Sequence, residues 1–299
     1  MQFARQGRAG VAIANVATLF FGLAGVLGKL SGLPAPLITL GRVVFAGVAL
    51  AAWVRLTGAP LRPKSRRDAA LLAALGVILA LHWTAFFQAI VVSSVAVGLL
   101  AFSSFPLFTA ALEPLLLRQR PRLEEIIAAV LILPGIYLLA PGLSLDNRAT
   151  RGVLWGLLAG ATFALLSVVN RGLTARYPSA TISLYQDGVA ALVLLPTLVV
   201  VHSSSAFTAR TLLILATLGV VCTALAHTLF IASLRSVTAQ LASVIAALEP
   251  VWGVLFAWAL LSERPATRTL LGGTIIVGAA LLPGLATLFR RRSRPSVSS

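Results

Sequence analysis

Charge is what this chain has least of. Asp, Glu, Lys and Arg make up 11% of its 299 residues, against about 25% in an ordinary soluble domain. Only 8 residues are acidic, while 59% are hydrophobic and the mean hydropathy is +0.97. A soluble chain of this length could not cover so much apolar surface, so a soluble enzyme is excluded. Cysteine is nearly absent: Cys222 stands alone in an apolar run, which rules out an intramolecular disulfide and suits a small core residue. Catalytic signatures are absent as well. There is no GxxxxGK[ST], HExxH, GxSxG, CxxC or DDxxD pattern, which argues against a membrane hydrolase or prenyltransferase and against ATP coupling in cis. No cofactor and no metal site is expected. Lysine is scarce beside arginine, as in proteins of GC-rich bacterial genomes. A cleavable signal peptide is not expected either, because the first apolar run is too long for an h-region and continues to Lys29.

What is present is a series of apolar runs of the length that crosses a hydrocarbon core of about 30 Å as a helix. Spans are predicted at 10–30, 35–56, 69–90, 93–117, 123–141, 151–173, 179–201, 209–232, 237–261 and 267–289. The expected fold is an all-α integral membrane protein of ten transmembrane helices. The net charge of +16 sits in short loops, where it reads as a topology signal and as contact with anionic lipids rather than with nucleic acid. One side collects Arg55, Arg62, Lys64, Arg66 and Arg67, then Arg290, Arg291, Arg292 and Arg294 beyond the last span. The other side has only Lys29, Arg148, Arg151, Arg210, Arg264 and Arg268. Both termini are therefore expected in the cytoplasm of a bacterial inner-membrane protein.

The second half repeats the first. A shift of 144 brings Pro106 onto Pro250, Arg120–Pro121 onto Arg264–Pro265, Arg42 onto Gln186 and Trp83 onto His227. A shift of 142 brings Gly10, Ala14, Thr18 and Gly22 onto Gly152, Gly156, Gly160 and Ala164, with Lys29 meeting Arg171. Small residues every four positions allow close helix packing. The division is 1–147 and 148–289, two five-helix repeats, followed by a basic cytoplasmic tail at 290–299. Five is odd, so the repeats are expected to be inverted, with a substrate near the midplane where they meet. Pro106 and Pro250 would then stand at or past the midplane on opposite sides, each permitting a bend, one hinge per gate.

The segments Leu248-Glu249-Pro250 through Leu260-Leu261-Ser262-Glu263-Arg264-Pro265 and Pro106 through Arg120-Pro121 resemble the drug/metabolite transporter superfamily. The chain is most similar to its ten-helix EamA-type exporters, and among these to the bacterial aromatic amino acid exporters. Gln119 departs from the pattern, standing where the ending usually has Glu. The resemblance implies export of amino acids or related metabolites without ATP and without a covalent cofactor. The runner-up is multidrug or other small-metabolite efflux on the same fold.

Ionisable residues inside a membrane are functional candidates by default. Here these are Arg42, His82, Asp187, His227 and Glu249, with Glu249 near mid-span and able to bind a proton or a substrate amine. Asp187 and Arg42 form an internal pair or solvate the cavity mouth. His82 and Phe86 share a helix face with Trp83 beside them, an aromatic wall suited to a zwitterion with a bulky side chain. Asn15, Thr162, Gln240 and Ser243 can supply hydrogen bonds to a substrate's carboxylate and amine. Glu113 near a span end reads as a snorkelling surface charge. The expected partners are a small-molecule substrate and membrane lipids, the chain acting as a monomer or a loose homo-oligomer.

Overall fold

The computed structural model describes residues 2–117, 123–139, 144–201 and 207–292. Among the described residues the chain is helices and turns, with no strand. In order these are α1 (Gln2–Leu30), α2 (Ala35–Thr57), α3 (Arg66–Val92), α4 (Val95–Phe102), α5 (Phe105–Leu117), α6 (Leu123–Leu139), α7 (Arg148–Thr174), α8 (Ser179–Leu194) and α9 (Thr197–Val200). Then come α10 (Ala209–Gly219), a π-helical turn at Val220–Leu225, α11 (Ala226–Ser233), α12 (Ala239–Ala246), α13 (Glu249–Leu261) and α14 (Thr267–Arg292).

Among the described residues, eight helical segments are long and apolar enough to cross a membrane: Ala9–Leu30, Ala35–Thr57, Arg66–Val92, Val95–Glu113, Arg148–Thr174, Ser179–Val200, Ala209–Ser233 and Leu241–Leu261. Two shorter apolar helices, Ile126–Leu139 and Thr267–Leu282, pack against each other through α6 and α14. Side chains that would be unacceptable on a soluble surface, among them Val48, Leu56, Leu192, Val199 and Trp258, face outward.

Local chemistry sets where the helices begin and break. Ser94 accepts from the Val97 N–H at 3.1 Å and starts α4, and Thr238 accepts from the Leu241 N–H at 3.1 Å and starts α12. Both helices stop after eight residues. The chain turns at Ser103–Ser104 and at Ala247–Leu248, then resumes as α5 and α13 with Pro106 and Pro250 as their second residues. A proline in the first helical turn sacrifices no intrahelical bond. The two prolines thus begin the second half of a broken helix instead of bending a continuous one.

The small-residue stripes hold these broken helices. A side chain at Gly22 would meet the Gly253 N–H at 2.8 Å and the Glu249 carbonyl at 3.0 Å, on α13. A side chain at Gly156 would meet Ala101 at 2.6 Å and the Phe102 N–H at 3.1 Å, and one at Gly160 the Phe102 carbonyl at 3.1 Å. Glycine removes the Cβ that would keep these backbones apart. So α1 lies along α11, α12 and α13, while α7 lies along α3, α4 and α5.

The loop between α2 and α3 is clamped to the turn between α7 and α8. The Tyr177 hydroxyl donates to Asp68 Oδ2 at 2.6 Å and accepts from the Lys64 N–H at 2.7 Å, and Arg176 donates to the other Asp68 oxygen. Burial, then the bond to Asp68, holds the Tyr177 phenol above its ordinary range. The clamp is therefore complete at neutral pH and is lost only as the pH rises through that raised value. Tyr177→Phe is expected to speed backbone amide exchange across 58–65 several-fold while leaving α3 protected. Unchanged exchange there would show that Arg176 and Asp68 suffice.

Candidate functional site

The centre of the bundle contains a cavity lined by α1, α2, α3, α4, α7, α11 and α13. Its walls are Phe21, Ala24, Arg42, Leu79, His82, Trp83, Phe86, Phe102, Phe163, His227 and Glu249. Its volume of about 30 Å³ admits about two waters, far below the 300–1,000 Å³ or so of a typical ligand pocket. The walls are drawn together in this conformation, so admitting a solute requires the helices to part.

The α3 residues carry one wall. His82 and Phe86 stand four apart, and Phe102 and Phe163 close on them, with the His82 ring 5.7 Å and 5.4 Å from theirs. His82 Nδ1 lies 2.9 Å from the Ala159 carbonyl. A carbonyl can only accept, so Nδ1 carries the hydrogen, and in the neutral ring Nε2 is left as acceptor. Trp83 is held between two groups. The His227 ring meets it edge-on at 5.2 Å, and the Arg42 guanidinium stacks over it at 3.9 Å.

Arg42 is buried, with 2% of its surface exposed. The π-helical turn supplies what holds it. Arg42 Nε donates to Thr223 Oγ1 at 2.9 Å and Nη2 donates to the Cys222 carbonyl at 3.3 Å, while Thr223 donates back to the Leu218 carbonyl five residues earlier. A π turn shifts the helix register by one residue, which is how this element presents a carbonyl and a hydroxyl together. Stacking of a desolvated guanidinium on an indole is worth about 2 kcal/mol, offsetting part of a burial cost of several kcal/mol. Asp187, buried on α8, and Glu249, on the cavity wall, are both within electrostatic reach of Arg42. Both Asp187 oxygens lack a hydrogen-bond partner among the described residues.

Of the residues singled out from sequence, His82, Trp83, Phe86, His227, Arg42 and Glu249 come together on this cavity. The others lie elsewhere. Asn15 is exposed and donates to the Val11 carbonyl of its own helix. Thr162 donates to the Leu158 carbonyl and touches His82 Nδ1 from behind at 3.4 Å. Ser243 pairs with Thr109 at 3.0 Å, joining the two broken helices. Asp187 stands outside the wall, Pro106 and Pro250 begin α5 and α13, and the Gln240 side chain lies outside the described residues, as do Gln119 and Arg120–Pro121. Glu113 is not a free surface charge: it accepts from Arg171 at 3.0 Å.

Phe21, Phe102 and Phe163 were not anticipated. Two of them carry a readable signal. The shift of 142 that matches the glycine stripes also takes Phe21 onto Phe163, and the shift of 144 takes Phe86 onto Phe230, which packs on both at 5.9 and 5.1 Å.

A multi-pass helical protein with a narrow central cavity of this lining fits the class of membrane transporters, and the comparisons with known proteins agree. The EamA-like transporter family model matches twice, at residues 8–140 and 150–284, and the chain belongs to that family. It is 30% identical over 211 residues to the uncharacterized transporter YwfM of Bacillus subtilis (strain 168), covering 68% of this chain and 71% of that one. It is 22% identical to the uncharacterized transporter YxxF of the same organism, over 95% of this chain and 91% of that one. An uncharacterized transporter of Archaeoglobus fulgidus is 27% identical over 74% of this chain and 78% of its own length. A solved crystal structure superposes with a TM-score of 0.72 at 21% identity, covering 96% of this chain and 98% of that one, which shows the shared fold.

Proposed function

We propose that the protein exports amino acids, aromatic and other neutral ones first, by alternating access across the central cavity. One observation carries this reading: the central cavity, with its aromatic walls, is also lined by both a cation, Arg42, and a carboxyl, Glu249. A zwitterion with an apolar side chain matches all three features at once. Efflux of cationic drugs fits less well, because Arg42 would repel them from the same space.

The carrier in this reading is ten helices in two inverted repeats. The helix packing supports it, since exchanging the halves maps the contacts onto themselves. The pairing of α3 with α7 corresponds to α11 with α1, that of α5 with α7 to α13 with α1, and that of α2 with α10 to α8 with α3. The pairs α2–α8 and α6–α14 are their own counterparts. Both termini lie on the cytoplasmic side of a bacterial inner membrane, where the basic loops would meet anionic lipid. The chain works as a monomer or a loose homo-oligomer.

The test is uptake of a labelled amino-acid panel into proteoliposomes, with and without an imposed pH gradient. Saturable uptake of aromatic and other neutral amino acids, accelerated by unlabelled substrate on the opposite face, is the expected outcome. No uptake of any of them into tight vesicles overturns the substrate assignment and leaves the family and fold standing.

A further inference from the structure

We propose that Arg42 is the receptor for the substrate's carboxylate, so that the carrier selects acids with an exposed carboxylate and rejects the corresponding amines, amides and esters. The inference rests on the amino-acid reading above and adds which group of the substrate is recognised, and by what.

Guanidinium offers five N–H donors in a planar fork. In this structure the inner side of the fork is used for positioning: Nε on Thr223 and Nη2 on the Cys222 carbonyl. Trp83 covers one face at 3.9 Å, with Phe87 5.3 Å away. Among the described residues no carboxylate lies within ion-pair distance of Arg42, although Lys29 pairs with Glu263, Arg171 with Glu113 and Arg176 with Asp68. A buried cation without an ion-pair partner is costly unless its free donors have a use, and Arg42 is one of the residues that line the cavity.

The surrounding charges are arranged consistently with this role. Asp187 is buried with both oxygens unpartnered among the described residues, and it takes none of the Arg42 donors. Glu249 is on the same cavity wall and can receive an ammonium group. Phe86, Phe102 and Phe163 form the apolar wall for a side chain. Of the polar residues offered for the carboxylate, Asn15 and Thr162 bond to carbonyls of their own helices and Ser243 pairs with Thr109, and none of the three lines the cavity. A carboxylate fits a guanidinium fork through two parallel hydrogen bonds, which neither an amide nor an ester can match in charge.

The experiment is exchange in proteoliposomes of the intact chain loaded with phenylalanine, challenged from outside with phenylalanine, its amide, its methyl ester and phenylethylamine. The unsubstituted protein should exchange the acid at least about tenfold better than the other three, as a buried site built to hydrogen-bond one group rejects analogues lacking it. Arg42→Lys should keep part of the activity, since it retains the charge but not the fork, and Arg42→Gln should lose it, with thermal melting of both variants as the check on folding. Because the ligand series needs no variant, a folding failure of Arg42→Gln leaves the inference testable. Equal exchange of acid, amide, ester and amine overturns the role of Arg42 while leaving an aromatic-solute carrier. Exchange of none of the four overturns the amino-acid reading itself.

Discussion

Gly156→Leu is expected to leave little or no folded carrier. A Cβ at this position would already stand 2.6 Å from Ala101 and 3.1 Å from the Phe102 N–H, and the atoms it meets on α4 include backbone that cannot rotate away. Overpacking a well-filled interface costs about 1–3 kcal/mol, and more when backbone must move, so leucine is expected to cost on the order of 3 kcal/mol or more. The displaced element is the broken helix that bears Phe102, so whatever protein does fold should also have a disturbed cavity. Gly188→Leu is the control, because nothing lies within 4 Å of a Cβ there. Size-exclusion profiles and melting curves in detergent decide the matter. A Gly156→Leu variant that melts with the unsubstituted protein would show that α4 and α7 are not held at this distance in solution.

Opposite shifts in accessibility are expected from Glu263→Gln and Arg171→Gln. Lys29, at the end of α1, pairs with Glu263, and the other Glu263 oxygen accepts from the Val95 N–H at 3.2 Å, tying α1, α13 and the start of α4 together. Arg171, near the end of α7, donates to Glu113 of α5. Lys29 and Arg171 are the two residues that a shift of 142 aligns, and in the proposed inverted arrangement they lie at opposite mouths. Partly exposed ion pairs are individually weak, but a near-balanced pair of conformations responds to small biases. In a Cys222→Ala background, Glu263→Gln should raise labelling of a cysteine at position 31 several-fold and lower it at position 174, and Arg171→Gln should do the reverse. Shifts in the same direction at both positions would refute a two-mouthed carrier.

The repeat-aligned proline Pro106 illustrates where sequence reasoning reaches its limit. Its chain position and its match to Pro250 were legible, and a proline in an apolar span announces a departure from a regular helix. Whether that departure is a bend or a break depends on the residues before it. Ser103 and Ser104 turn the chain over, and Thr109 joins Ser243 across the gap. The same holds for the polar residues. Asn15, Thr162 and Ser243 are equally good hydrogen-bonding groups in a linear sequence, yet Asn15 and Thr162 are used by their own helix backbones and Ser243 by Thr109, because lipid offers no alternative partner.

The sequence by itself determined the membrane class, the all-helical fold, the approximate limits of most apolar runs, the duplication and the short set of intramembrane charges. These follow from length, composition and periodicity, which are properties of the chain before it folds. Only the tertiary structure decided which of those charges share a cavity. Arg42 reaches Trp83 from another helix, and it is held in place by a hydroxyl and a carbonyl about 180 positions away. That alignment exists because a π turn offsets the register at Val220–Leu225 and because glycines let α1 and α7 approach the broken helices. The glycine stripes are visible in the sequence, but which segments they bring together, and where the π turn falls against Arg42, is set by contacts between segments remote in sequence.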